Sequence, residues 1–382
     1  MSGPLEGVKV VELAGLGPAP FGAMLLADMG ADVVSVDRTD RAFGMPLESA
    51  KGNVYDRGRR SIAVDLKHPD GVNVVRRLTD DADVFIEGFR PGVAERLGLG
   101  PDDVRSRNPR LVYGRMTGWG QEGPYATRAG HDINYIALAG PLAHIGRAGQ
   151  PPTPPLNLVG DFGGGGLLLA FGIVCALNER ERSGEGQVVD AAMVDGAAIL
   201  SAPIANAFAL GYFHEERGTN WLDSGAPYYD AYECADGEYL SIGSIEPKFY
   251  ANLLSVLGLD DASDLPDQND EQAWPRLKDR IAAIVKTRAR DEWMEAFGDD
   301  DHCVAPVLRY GETIDHPHIE ARQTYIERDD VLQPAPAPRF DRTPAALGRP
   351  PAPAGFHTDE VLAEYGFDAA ACAALRESGA IA

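Results

Sequence analysis

The stretch "VKVVELAGLGPAPFGAMLLADMGADVVSVDR", Val8 to Arg38, decides the fold. A short β-rich run bounded by glycine ("VKVVELA") is followed by eleven residues of helical spacing that stop at Gly30. A second strand, "ADVVSVD", comes next. The alternation continues through "DGVNVVRRLTDDA" as a helix, then "DVFIEGF" and "RLVYGRM" as strands. Strands separated by helices of this length predict an α/β fold with a mostly parallel, Rossmann-like sheet and right-handed crossovers. Helices from roughly Asp161 to Glu181 and from about Asp190 to Leu210 are expected to cover that sheet.

After Tyr212 the pattern changes. "YYDAYECADGEYLSIGSIE" is two alternating runs joined by Ala-Asp-Gly, which signals a hairpin. The chain therefore divides into a large first part (1–210), a linker (211–225) and a smaller α+β domain (226–320). A proline-rich crossing (321–355) follows, then two short helices (356–382) that return to the large domain. "QPAPAPRFDRTPAALGRPPAPAG" in that crossing is too stiff and too poor in N–H donors to be helical.

The 382 residues are 44% apolar, enough for a full core without metal or disulfide. The four cysteines are scattered with no C-x-x-C pair, which argues for reduced thiols, a cytoplasmic setting and no metal site. Cys175, in an apolar run, reads as a core residue. The apolar run Leu167 to Leu177 is too short to cross a bilayer, so no membrane association is expected. Acidic residues outnumber basic ones 58 to 35, a net charge of −23, which excludes a nucleic-acid binder. An anionic substrate must be captured by local cations.

Gly15 and Gly17 open a strand-to-helix turn in the manner of a dinucleotide fingerprint. Pro18 and Pro20 remove N–H groups that a pyrophosphate would need, so no nicotinamide is expected there. Cations do gather at strand ends: Arg38 after one, Lys67 after another, Arg90 and Arg96 after a third. Together they predict a ligand with several phosphates. His131 and Asp132 mark a helix start, where free N–H groups favour a developing oxyanion. Asp161 precedes four glycines in "NLVGDFGGGG". Local sequence favours an N-cap for it; the alternative is a carboxyl group held where glycines let a substrate approach the backbone. His316 and His318, spaced H-x-H around a loop, read as loop residues.

The segments "VVELAGLGPAP", "GADVVSVDR", "IEGFRPGVAERLGLGP", "MTGWGQEGP", "AGHDINYIALAG", "PPLNLVGDFGGGG", "GAPYYDAYECADG" and "SIEPKFY" span nearly the whole chain. In this order they resemble the alpha-methylacyl-CoA racemases of the class III CoA-transferase superfamily. The resemblance implies that His131 and Asp161 are paired acid/base catalysts, with Asp132 beside them. It also implies that Glu246 orients the histidine and that Asn157 holds the aspartate. The implied CoA contacts are Arg38; Val64, Asp65, Leu66 and Lys67; Gly88, Phe89 and Arg90; Arg96; and Gly130, His131, Asp132, Ile133, Asn134 and Tyr135. The implied assembly is an interlocked homodimer, the implied substrate an acyl-CoA, and no separate cofactor is needed because CoA is part of the substrate. Fatty-acid and lipid metabolism is the implied setting. The nearest rival is a CoA-transferase in which Asp161 attacks the thioester. A nicotinamide oxidoreductase and a non-catalytic acyl-CoA binder are the remaining alternatives.

Overall fold

The computed structural model describes residues 3–41 and 50–382. The chain forms two compact units, one of residues 1–139, 156–200 and 318–382, the other of residues 140–155 and 201–317.

The first unit is built on six parallel strands: β1 (Lys9–Leu13), β2 (Asp32–Asp37), β3 (Arg59–Ala63), β4 (Val84–Glu87), β5 (Val112–Thr117) and β6 (Val188–Ala192). Their spatial order is β3-β2-β1-β4-β5-β6, with every pairing parallel. Successive side chains alternate between faces, so the central strands β1, β2, β4 and β5 feed two cores. Val10, Val33, Val84, Ile86 and Val112 point to one, with α1 (Pro18–Asp28). Val11, Val34, Ile62, Phe85 and Tyr113 point to the other, which α2 (Pro69–Thr79) covers. Burial on both faces explains why the strands read as near-continuous apolar runs. Two short helices, α3 (Val93–Arg96) and α4 (Pro101–Arg105), lead into β5, and α5 (Asp132–Ala139) follows it.

The helix expected from Asp161 begins earlier and is wound differently. Leu158–Leu167 is a π-helix, continued by α6 (Leu168–Ser183). The combined run Leu158–Ser183 is long and apolar enough to cross a membrane by composition; here Leu169, Ala170, Ile173 and Ala176 pack into the first core. Cys175 lies on the outer side and is exposed, contrary to the core reading. The helix expected from Asp190 is instead strand β6 followed by α7 (Met193–Leu200) and α8 (Ala202–Ala209). "VVDAA" has no clear period, and pairing of Val188 with Tyr113 through Ala192 with Thr117 settles its conformation.

The second unit carries an antiparallel sheet, β7 (Tyr229–Glu233), β8 (Tyr239–Gly243) and β9 (Val304–Val307). The first two form the expected hairpin. Helices α9 (Pro247–Val256), α10 (Trp274–Val285) and α11 (Arg290–Phe297) pack on it through Leu253, Trp274, Ile281 and Trp293. After α12 (Pro317–Arg322), strands β10 (Tyr325–Arg328) and β11 (Val331–Pro334) pair with each other. Helices α13 (Thr358–Glu364) and α14 (Ala369–Glu377) join the second core of the first unit, and Ile381 bridges to Val64 at the end of β3.

Candidate active site

In the order 3-2-1-4-5-6 the crossovers diverge on either side of β1 and β4, leaving a crevice at the carboxyl ends of the strands. A pocket of about 290 Å³ lies there, its wall including Leu16, Arg90, Trp119, His131, Tyr135 and Met193. Gly88, Phe89 and Gly130 also line it.

The loop bearing Arg90 is held from below. Glu87, fully buried at the end of β4, accepts the Phe89 N–H at 2.6 Å and the Arg115 Nε at 3.0 Å. Arg115 in turn pairs with Glu95 at 2.8 Å. A buried carboxylate with two donors fixes the backbone just where Gly88–Arg90 lines the pocket.

His131 immediately precedes α5, as its sequence position predicted. Its own N–H donates to Asn134 Oδ1 at 3.0 Å. Among the described residues the N–H groups of Asp132 and Ile133 have no acceptor, which leaves two aligned donors at the positive end of the helix. Tyr135 is wedged between glycines: a Cβ at Gly118 would stand 2.1 Å from its ring, and one at Gly130 would stand 2.7 Å away. The ring also packs edge-on against Trp119, with centroids 4.7 Å apart.

Asp132 joins two elements. It is buried, and its Oδ2 accepts the N–H groups of Gly160 and Asp161 at 2.6 and 2.7 Å. The start of α5, which carries His131, is thereby tied to the π-helix that carries Asp161. The N-cap reading of Asp161 is overturned: Asn157 holds the cap position, and Asp161 lies one turn inside. Its carboxyl is freed from backbone duty and accepts the Asn157 amide at 3.1 Å. Burial pushes this carboxyl above its ordinary range, opposed by the Asn157 hydrogen bond. The Asp132 charge adds to the rise and His131 opposes it. Tyr135, also raised by burial, senses Asp161, Arg90 and Asp132. His131, Asp161 and Arg90 thus share one electrostatic neighbourhood.

The glycines after Asp161 do not make room for a ligand. A Cβ at Gly164 would come 2.7 Å from Ala197 N, and one at Gly166 would come 2.4 Å from Pro18 O. They let the π-helix touch the backbones of α7 and α1.

The other predicted contacts are dispersed. Arg38 is exposed and paired with Asp40. Val64 and Asp65 bond through their N–H groups to Asp37 O and Ala380 O, Leu66 packs half-buried on the second core, and Lys67 is exposed beyond them. Arg96 is exposed below Gly92, and Ile133 is exposed on α5. Glu246 caps α9 in the second unit and is exposed. Glu87, Arg115, Leu16, Trp119 and Met193 were not anticipated. For Glu87 a signal existed: a carboxylate inside the apolar strand "VFIEGF" has to be paired.

The parallel sheet and a switch-point crevice with His131 and Arg90 in its wall define a Rossmann-like α/β enzyme. The chain belongs to CoA-transferase family III, which it matches over residues 5–358, and within it stands with the alpha-methylacyl-CoA racemases. It is 48% identical to the alpha-methylacyl-CoA racemase of Mus musculus over 95% of this chain and 93% of that one. Identity to the Homo sapiens racemase is 47%, over 95% and 94%. The crystal structure of a CAIB/BAIF family protein from Brucella suis superposes with a TM-score of 0.83 at 27% identity, covering 96% of this chain and all of that one.

Proposed function

We propose that the protein interconverts the 2R and 2S epimers of 2-methylacyl-CoA thioesters by moving a proton on and off the α-carbon through an enolate. His131 and Asp161 work from opposite faces. The observation that carries this reading is the Asp132 carboxylate, which binds the backbone of Asp161 while sitting next to His131 in the chain. A thioester carbonyl acidifies its α-proton because sulfur delocalises poorly into it. One base takes that proton as the other delivers one to the far face, and the roles reverse for the other epimer. The pair must hold one proton in all. Raising the Asp161 carboxyl brings its strength towards that of an imidazole. The Asp132 and Ile133 N–H groups receive the enolate oxygen, a contribution of roughly 2.7–4 kcal/mol per donor in other enzymes.

Arg90 and the Gly88–Phe89 backbone take the phosphates, with Arg38, Lys67 and Arg96 further out. The orienting role of Glu246 on the histidine is carried over from the resemblance. An interlocked homodimer is proposed as the working form. It is supported by the exposed apolar side chains Leu138, Leu167, Phe171, Val174 and Leu200 on α5, the π-helix, α6 and α7. A cytoplasmic, soluble enzyme that draws on no separate cofactor completes the proposal.

Deuterium uptake from D₂O at the α-carbon of a 2-methylacyl-CoA, with no acceptor acid present, is the expected result. Transfer of CoA to a free carboxylic acid without such uptake would establish Asp161 as a nucleophile and overturn the reading. The pH profile adds a second check. Below the acid limb the pair holds two protons and neither group can accept, so the rate falls with pH. Because the Asp161 carboxyl is raised, that limb lies above the ordinary carboxylate range.

A further inference from the structure

Three arginines converge on a second pocket, at the opposite edge of the parallel sheet. We propose that this pocket binds a compact polyphosphate, either free or carried on a nucleotide. The placement follows from topology. Helix α2 leaves the carboxyl end of β3 and runs back, so Arg76 and Arg77 in its last turn lie at the amino edge of the sheet. Arg107, between α4 and β5, reaches the same edge. His131 and Arg90 occupy the carboxyl edge.

The pocket has a volume of about 370 Å³, and its wall is Asn73, the three arginines, Tyr365, Gly366 and Phe367. It contains no carboxylate. Two of the guanidiniums are fixed along one edge, the third is tethered at Nε, and all three leave donors over. Arg76 spends Nε and Nη2 on Gly98 O, at 3.0 and 2.8 Å. Arg107 spends Nε and Nη2 on Asp80, at 2.7 and 2.6 Å. Arg77 spends only Nε, on Tyr365 O at 3.3 Å. Among the described residues, Nη1 of Arg76, Nη1 of Arg107 and both Nη groups of Arg77 have no acceptor.

Asp80 balances one of the three charges, so two remain side by side in a chain of net charge −23. A helix carboxyl end attracts cations, which accounts for Arg76 and Arg77 on α2 but not for Arg107, which comes from another element. Guanidinium forks held in place match phosphate oxygens two at a time. The volume exceeds one phosphate, and Tyr365 and Phe367, half-buried against the second core, form the apolar side of the wall, against which a nucleotide's base would lie. An occupant would join α2, the α4–β5 connection and the α13–α14 turn. It would therefore raise the unfolding temperature as well as bind.

The test is calorimetric titration of the full chain with pyrophosphate and with ATP at fixed ionic strength, with thermal unfolding in parallel. The wild type is expected to bind and to gain thermal stability. Arg77→Glu, at an exposed side chain, should weaken binding at least ~10-fold, and Arg77→Ala should do so less. Arg90→Ala, on the other edge, should leave pyrophosphate bound here. Equal affinities assign the bare polyphosphate; tighter ATP binding that Phe367→Ala removes assigns a nucleotide. No binding by the wild type at millimolar ligand would overturn the proposal. So would unchanged binding in both Arg77 variants, or loss in Arg90→Ala alone.

Discussion

Two glycine-bearing turns in the first unit look alike in sequence and do opposite things. Gly15 and Gly17 follow β1. A Cβ at Gly15 would meet nothing closer than Leu13 O at 4.0 Å, and Gly17 has a left-handed φ of 68° with Asp161 Oδ2 3.6 Å from its imagined Cβ. That turn borders open space, and Gly15 lines the pocket. Gly164, Gly165 and Gly166 are buried; backbone fills the space beside Gly164 and Gly166, and the Pro18 and Met193 side chains crowd that beside Gly165. The first turn borders the pocket; the glycine run lets three helices pack close enough to present one carboxyl. A glycine run therefore signals a close approach, and only the partner reveals whether a ligand or another helix makes it.

The sharpest way to break this contrast is Gly196→Ala on α7, whose Cβ would stand 1.8 Å from Gly164 O. Backbone cannot yield as a side chain does, so urea unfolding should report a loss of at least ~3 kcal/mol. A small loss would mean that the π-helix is not clamped there. Asp132→Asn comes next. Weakening the acceptor for the Gly160 and Asp161 N–H groups should lower kcat ~10²-fold while KM moves little, because the substrate-facing side chains remain. A KM effect alone would contradict the positioning role. Arg90→Ala should mainly raise KM of the CoA ester, since a phosphate grip is felt equally in ground and transition states. Smallest is Gly15→Ala, expected to change stability by under ~0.5 kcal/mol because its surroundings are open.

The large-domain architecture was legible because strands buried on both faces carry dense Val and Ile runs, and intervening helices force parallel pairing. The helix start after His131 was legible for the same reason, as were the places of Arg38 and Arg90 just after β2 and β4; Arg96 instead ends helix α3. The π-helix was not. Its winding depends on contacts between Gly164 and α7 and between Gly166 and α1, residues distant in sequence, so Asp161 read as a cap. Strand β6 was missed because an edge strand of Ala and Val takes its conformation from its partner. The Asp132 tie was equally hidden, being a bond across 29 residues of chain.

The most direct measurement is the rate of epimer interconversion by Asp161→Ala, read by chiral separation of a 2-methylacyl-CoA, beside the affinity of the same variant for the ester. With one of two proton carriers gone, inversion should fall by at least ~10²–10⁴-fold while binding stays near that of the wild type. An Asp161→Ala enzyme that still inverts its substrate at a comparable rate would contradict the two-base account.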